Sequence, residues 1–171
     1  MTFNQSVAIL GLDPGLRHTG WAVLTAGTDA KPILLSSGVV HVPVGKQSMA
    51  QRLAGLFSAL TELLSPLTLT AAAVEEVFVN KNPKSSLTLG MARGVVMLAP
   101  ALLGIPVHEY PANLVKKCLS GFGHADKAQM QHMLPLLIEN AHNLPSDAAD
   151  AAAVALCHWQ HQQFFGLPKL N

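Results

Sequence analysis

Ten carboxylates occur in this chain of 171 residues, and four stand where solubility alone would not put them. Asp13 closes the apolar run Val7-Ala8-Ile9-Leu10-Gly11-Leu12, and Glu75 lies with Glu76 inside the apolar run Ala71 to Phe78. Asp147 and Asp150 are three apart in the opening turns of an alanine-rich helix, hence on one face. Half-buried carboxylates repel one another and are costly unless paired or bound to cations. Lys and Arg are too sparse in the flanking segments to neutralise all four, which leaves hard divalent cations with oxygen ligands as the natural partner. The sequence offers no Cys/His cluster of the kind zinc prefers. Each acid also has an ordinary explanation. Asp13 before Pro14-Gly15 is a common turn residue, Asp147 suits the positive end of a helix dipole, and spacing alone does not say whether Glu75 or Glu76 faces inward. Their coincidence is what points to a metal site.

The basic residues are unevenly placed. Lys81, Lys84, Arg93, Lys116, Lys117 and Lys127 share one segment with only Glu109 and Asp126, a local excess of four positive charges, whereas the whole chain carries +1. Such a segment is either an ordinary solvated surface or a track for phosphates. His158, eight residues after Asp150, is open to two readings: a ligand or base, or a packed or surface helix histidine. Cys118 and Cys157 are the only cysteines, too few for a disulfide framework or a CxxC site, and read as small buried thiols.

The elements that must position these groups follow from periodicity. Strands are expected at Val7–Leu12, Gly20–Leu24, Ile33–Val44, Ala71–Phe78 and Pro106–Tyr110. From Ser48 to Leu64 apolar residues recur at helical intervals until Ser65-Pro66. Further helices are expected over Ser85–Leu103, from Pro111-Ala112-Asn113 through Leu119, about Asp126–Glu139, and from Ser146 through His158. Strand runs mixed with helical crossovers predict one mixed five-stranded sheet with helices on both faces.

Half the residues are hydrophobic and 12% are charged, which excludes intrinsic disorder. The length fits one domain over residues 1–171, with an ordered core of about 7–162. The stretch Leu87–Leu103 is apolar enough to raise the membrane question, but Arg93 and Pro100 are each costly in a spanning helix. Residues 1–6 contain no Lys or Arg, against a signal peptide. A soluble, cytoplasmic protein with no membrane partner is expected.

Five segments together resemble one family. They are Gly11-Leu12-Asp13-Pro14-Gly15-Leu16-Arg17-His18-Thr19-Gly20, Val74-Glu75-Glu76-Val77-Phe78, Leu89-Gly90-Met91-Ala92-Arg93-Gly94, Lys127-Ala128-Gln129-Met130-Gln131-His132-Met133 and Asp147-Ala148-Ala149-Asp150-Ala151. In this order and at these separations they look like the RuvC crossover junction endodeoxyribonucleases, over roughly Val7 to Trp159. The resemblance implies a ribonuclease-H-like fold, a homodimer, and metal-dependent resolution of four-way Holliday junctions in recombination and repair, leaving 5′-phosphate ends. It assigns the acidic quartet to Asp13, Glu75, Asp147 and Asp150, holding two Mg²⁺ ions, with Mn²⁺ also possible. Glu75 rather than Glu76 matches, because the family acid stands three before the Phe that is Phe78 here. The resemblance matches Lys116 and Lys127 to lysines at the scissile phosphate and Phe78 to a ring stacking on a base. Lys81, Lys84 and Lys117 are further candidates for DNA binding, and a branch-migration helicase of the RuvA and RuvB type is an implied partner.

Two rivals have other signatures. An actin-like ATPase would also use Asp13 ahead of Gly15 and Thr19, but it needs a second lobe. A non-catalytic junction-binding protein would gain affinity by losing the acidic quartet, which is intact. The helix expected at Ser85–Leu103 has too little polarity for a solvent face and contains Gly90 and Gly94. It is either the dimer interface or a buried helix of a monomer.

Overall fold

The computed structural model describes residues 7–27, 31–76, 82–121 and 126–165. Three strands come first, β1 (Ala8–Asp13), β2 (His18–Ala26) and β3 (Pro32–His41), followed by α1 (Met49–Leu64), β4 (Ala71–Glu76), α2 (Pro83–Leu102) and β5 (Val107–Pro111). Three helices complete the chain, α3 (Ala112–Ser120), α4 (Lys127–Leu137) and α5 (Ser146–Phe165). The strands form one mixed sheet in the order β3-β2-β1-β4-β5. β1, β2 and β3 are antiparallel neighbours, whereas β4 runs parallel to β1 and β5 parallel to β4. The expected five-stranded mixed sheet is the one observed.

Strand alternation divides the core in two. Ile9 and Ala73 face the layer of α3, α4 and α5, packing with Leu134, Ala152 and Leu156. Leu10, Leu12, Ala72 and Val74 face the other way, against Leu56, Leu60 and Leu64 of α1 and Ala92, Val96 and Ala99 of α2. β4 is buried on both faces, and its alanines and valine therefore carry no polar alternation. α5 lies over the sheet centre with Ala148, Ala149, Ala151, Ala152, Ala153 and Ala155 buried, small side chains that allow a close approach.

Caps set several helix starts. Ser48 and Gln51 form a capping box at α1: the Gln51 N–H donates to Ser48 Oγ and the Ser48 N–H to Gln51 Oε1, at 3.3 and 2.8 Å. Asn82 caps α2 with Pro83 at its first position, so this helix starts two residues before the expected Ser85. Asp126 and Gln129 form a second box, which places Lys127 at the first position of α4.

Other boundaries also depart from expectation. β3 stops at His41 rather than Val44, and Val42 instead donates its N–H to the Arg17 carbonyl at 3.0 Å. α4 stops at Leu137 rather than Glu139, because Ile138 is extended and Glu139 pairs with β3: its N–H reaches the Pro32 carbonyl and its carbonyl accepts from Leu34. The strand expected to Phe78 is described to Glu76, with Val77 and Phe78 outside the described residues.

Candidate metal and nucleic-acid site

Topology brings the four acids to one end of the sheet. β1 and β4 are parallel neighbours with Leu12 beside Val74, so Asp13 and Glu75 end adjacent strands one step further on. The crevice outside the carboxyl ends of parallel strands is where open α/β sheets hold ligands. Alternation settles the choice between the glutamates. Glu75 shares the side of Ala73, toward α5, whereas Glu76 shares that of Val74, toward α1 and α2. Asp13 pairs with Gly20 across β2, and the first turn of α5 rests on that glycine. An added Cβ at Gly20 would overlap the Asp147 carbonyl, and one at Gly11 would overlap the Ala151 carbonyl and meet Ala155. The two glycines thus let α5 sit directly on β1 and β2, and this docking lowers Asp147 and Asp150 onto Asp13.

Asp13, Asp147 and Asp150 each offer a carboxylate oxygen, and these atoms lie within 4.8 Å of one another. Burial, then the charges of Glu75, Asp150 and Asp147, push the Asp13 carboxyl up to about 7, against the opposing effect of Lys127. Burial and Asp150 likewise raise Glu75, while Lys116 and Lys127 act to lower it. Carboxylates forced together at half-buried positions with their charge incompletely neutralised are a cation site by their chemistry. A set of oxygens suits Mg²⁺ or Mn²⁺ rather than a soft metal.

Beside the acids lies a cavity of about 270 Å³ lined by Glu75, Lys116, Asp126, Lys127, Met130 and Asp150. Lys127 Nζ donates to Asp150 Oδ2 at 2.9 Å, and this bond, with the charges of Asp147 and Asp13, raises the lysine further. The Asp126 carboxylate is occupied as the cap of α4, accepting the Gln129 N–H at 2.8 Å. Of the other expected DNA-binding residues, Lys117 is exposed on α3 and Lys84 is exposed at the start of α2. Phe78 and Lys81 lie outside the described residues. Arg93 and Glu109 form a half-buried salt bridge, so the local excess of positive charge rests on the lysines.

His158 belongs to the core rather than to the metal site. It is fully buried, bonded through Nδ1 to the Tyr110 hydroxyl at 2.7 Å and through Nε2 to the Gln162 amide at 2.8 Å. Burial, with His108 and His161 beside it, holds the imidazole down at about 4, hence neutral. Sequence reasoning did not identify Gly11 and Gly20 as the seat of α5; the signal was present, since both glycines interrupt otherwise apolar strands. It also expected no Cys/His cluster, yet α3 and α5 bring Cys118, Cys157 and His161 together, two helical turns along α5 from Asp150. Only the tertiary packing of α3 on α5 reveals it.

Comparisons with known proteins converge on this geometry. The family model of crossover junction endodeoxyribonuclease RuvC matches residues 9–158. A crossover junction endodeoxyribonuclease RuvC of Azorhizobium caulinodans is 49% identical over 160 residues, covering 93% of each chain. That of Methylocella silvestris is 46% identical over 157 residues, 92% of this chain and 88% of its own. The structure of Thermus thermophilus RuvC in complex with a Holliday junction substrate superposes with a TM-score of 0.80, at 31% identity and 94% coverage of both chains. The yeast mitochondrial Holliday junction resolvase Ydc2 shares the fold, with a TM-score of 0.64 at 19% identity, over 90% of this chain and 79% of its own. With its acids at the carboxyl ends of β1 and β4 and at the start of α5, and with matches spanning almost all its length, the chain belongs to the RuvC family of crossover junction endodeoxyribonucleases.

Proposed function

We propose that this chain resolves four-way DNA junctions by nicking two opposed strands symmetrically, using two divalent ions held by Asp13, Glu75, Asp147 and Asp150. The observation that carries the reading is the convergence of three aspartate oxygens within 4.8 Å, beside a cavity to which Glu75, Lys116 and Lys127 contribute. Bound Mg²⁺, or Mn²⁺, would supply Lewis acidity to the scissile phosphodiester and lower the pKa of an attacking water. Asp147 and Asp150 present their carboxylates from one helix face, and Asp13 and Glu75 from adjacent strand ends, a rigid frame that orients the reacting phosphate. Lys116 and Lys127 hold that phosphate and offset its developing charge. Lys84 and Lys117 extend the track, Lys81 joins it on the charge of its segment, and Phe78 on the strength of the resemblance. The whole chain acts as one nuclease domain.

Two-fold symmetric nicking calls for a two-fold assembly, and α2 offers the face for it. Its inner side, Ala92, Val96, Ala99 and Pro100, is buried, while Leu87, Met91, Leu98 and Leu102 are exposed along the outer side with Gly90 and Gly94. A homodimer through α2 follows. A helicase of the RuvA and RuvB type and a cytoplasmic location complete the proposal.

The test is a gel assay of a fixed four-way junction. Cleavage to sealable 5′-phosphate ends is expected with Mg²⁺ and not with EDTA, and a linear duplex of the same sequence stays intact. Glu75→Gln abolishes cutting while Glu76→Gln leaves it. Cutting in EDTA, or a Glu75→Gln variant as fast as wild type, overturns the reading.

A further inference from the structure

Cys118 of α3 and Cys157 of α5 face each other across the packed helices with their sulfurs 3.0 Å apart. Cys157 is fully buried and Cys118 half-buried, so small oxidants reach the pair through Cys118. A set of two thiols and an imidazole admits two chemistries, a soft cation or a disulfide. The sulfur separation favours the disulfide, because two thiolates on tetrahedral zinc stand farther apart, roughly 3.8 Å given a Zn–S distance of about 2.3 Å.

We propose that Cys118 and Cys157 form a peroxide-sensitive dithiol that closes to a disulfide, cross-linking α3 to α5 and slowing junction cleavage. Closure to the bond length of about 2.05 Å moves the sulfurs by about 1 Å. The chemistry divides the roles. The hydrogen bond with Cys157 and the charge of Lys117 lower Cys118, making it the thiolate, while that bond and burial raise Cys157, which keeps its proton until the second step. The Cys118 sulfur attacks hydrogen peroxide, forming S–O and breaking O–O, and the leaving hydroxide takes a proton to become water. The Cys157 sulfur then attacks the sulfenic acid, forming S–S and breaking S–O, and the Cys157 proton leaves with that oxygen as a second water. Both sulfurs are oxidised and the peroxide is reduced. A dithiol reverses the reaction by exchange.

The effect on cleavage rests on the nuclease reading above. Lys116 is two residues before Cys118 on α3, and Asp150 is two turns before Cys157 on α5. Drawing the helices together displaces the lysine relative to the carboxylate, and misplacement by about 1 Å can lower a rate roughly 10²-fold.

The experiment treats the full chain with stoichiometric hydrogen peroxide, maps peptides with and without reduction, and follows junction cleavage at saturating protein. Expected are a Cys118–Cys157 linked peptide with loss of two hydrogens, a tenfold or greater fall in cleavage with junction binding retained, and recovery with dithiothreitol. Cys118→Ser, at the half-buried position, leaves untreated cleavage intact and removes the response; Cys118→Ala repeats it should the serine variant melt early. Peptide mapping is independent of activity, so an untreated protein that does not cut overturns the nuclease reading and not the dithiol. Both thiols still labelling after peroxide overturns the dithiol, and a linked peptide with unchanged cleavage overturns its control of the site. Stoichiometric Zn²⁺ retained by the reduced protein through dialysis overturns it in favour of a metal.

Discussion

Burial and three neighbouring carboxylates push Asp13 up to about 7 from an ordinary 3.8, so the folded chain holds its proton more tightly than the unfolded chain does. The ionised form therefore weakens the fold, increasingly as pH rises from about 4 to about 7 and fully above that. His158 has the opposite sign. Its folded value of about 4 lies below the ordinary 6.5, so its contribution is present above about 6.5 and is lost as pH falls toward 4. Over that window the two oppose each other in the wild type. Asp13→Asn removes one side: it melts several degrees higher than wild type at pH 8 in EDTA, and loses stability on acidification from pH 6.5 to 4 more steeply. It also abolishes cleavage, and loses most of the Mg²⁺-dependent rise in melting temperature that a bound ion gives the wild type. Calorimetry across pH, with and without Mg²⁺, checks the three stability outcomes, and a variant no more stable than wild type at pH 8 counts against crowded carboxylates. The lysines act differently, since Lys127 is exposed and Lys116 is at the cavity. Lys116→Ala and Lys127→Ala cut slowly even at saturation, and each reduces the log-log salt slope of junction binding by roughly one. An unchanged slope means that they do not meet phosphate.

At the scale of elements, the sequence made helices more legible than the residues that seat them. Ser48, with apolar residues at helical spacing after it, marked α1 correctly because capping and periodicity are both local signals. Glu75 was a different matter. Ala71-Ala72-Ala73-Val74 is buried on both faces, so alternation along β4 carried no sign of which glutamate faced α5, and only the resemblance chose it. The end of α4 was lost to a contact with β3, more than a hundred residues away in the chain, that no local pattern encodes. The seat of α5 on Gly11 and Gly20 yields a prediction at this scale. Gly20→Ala pushes the Asp147 backbone away from Asp13, so cleavage falls roughly 10²-fold, out of proportion to the stability lost. Gly11→Ala presses on Ala151 and Ala155 in the middle of the helix, so stability falls by about 1–3 kcal/mol or more. Paired melting and cleavage measurements separate the two. Equal losses of activity per degree of melting temperature would mean that Gly20 only packs.

At the scale of the molecule, the reading depends on what covers α2. Sequence left two choices for its apolar character, a dimer face or a helix buried in a monomer, and its outer side is exposed in the described chain. Leu87 is 61% exposed, Leu98 47% and Leu102 66%, far more apolar surface on one stripe than scattered leucines account for. The stripe climbs the helix by steps of three and four through Leu87, Met91, Gly94, Leu98 and Leu102, a spacing suited to another helix laid alongside. Gly90 and Gly94 are open to solvent, and a Cβ at either would meet nothing within 4 Å in the monomer, so close approach by a partner is what they can serve. Gly90→Glu and Gly94→Glu therefore leave the monomer fold intact while placing unpaired charge in a dimer interface. Sedimentation equilibrium at micromolar concentration is expected to give twice the 18.1 kDa chain mass for the wild type and a folded monomer for the glycine variants. Those monomers should nick one strand of a junction without the second, symmetric cut. A wild-type monomer that still makes paired nicks would sink the dimer, whereas glycine variants that remain dimers would move the interface off α2.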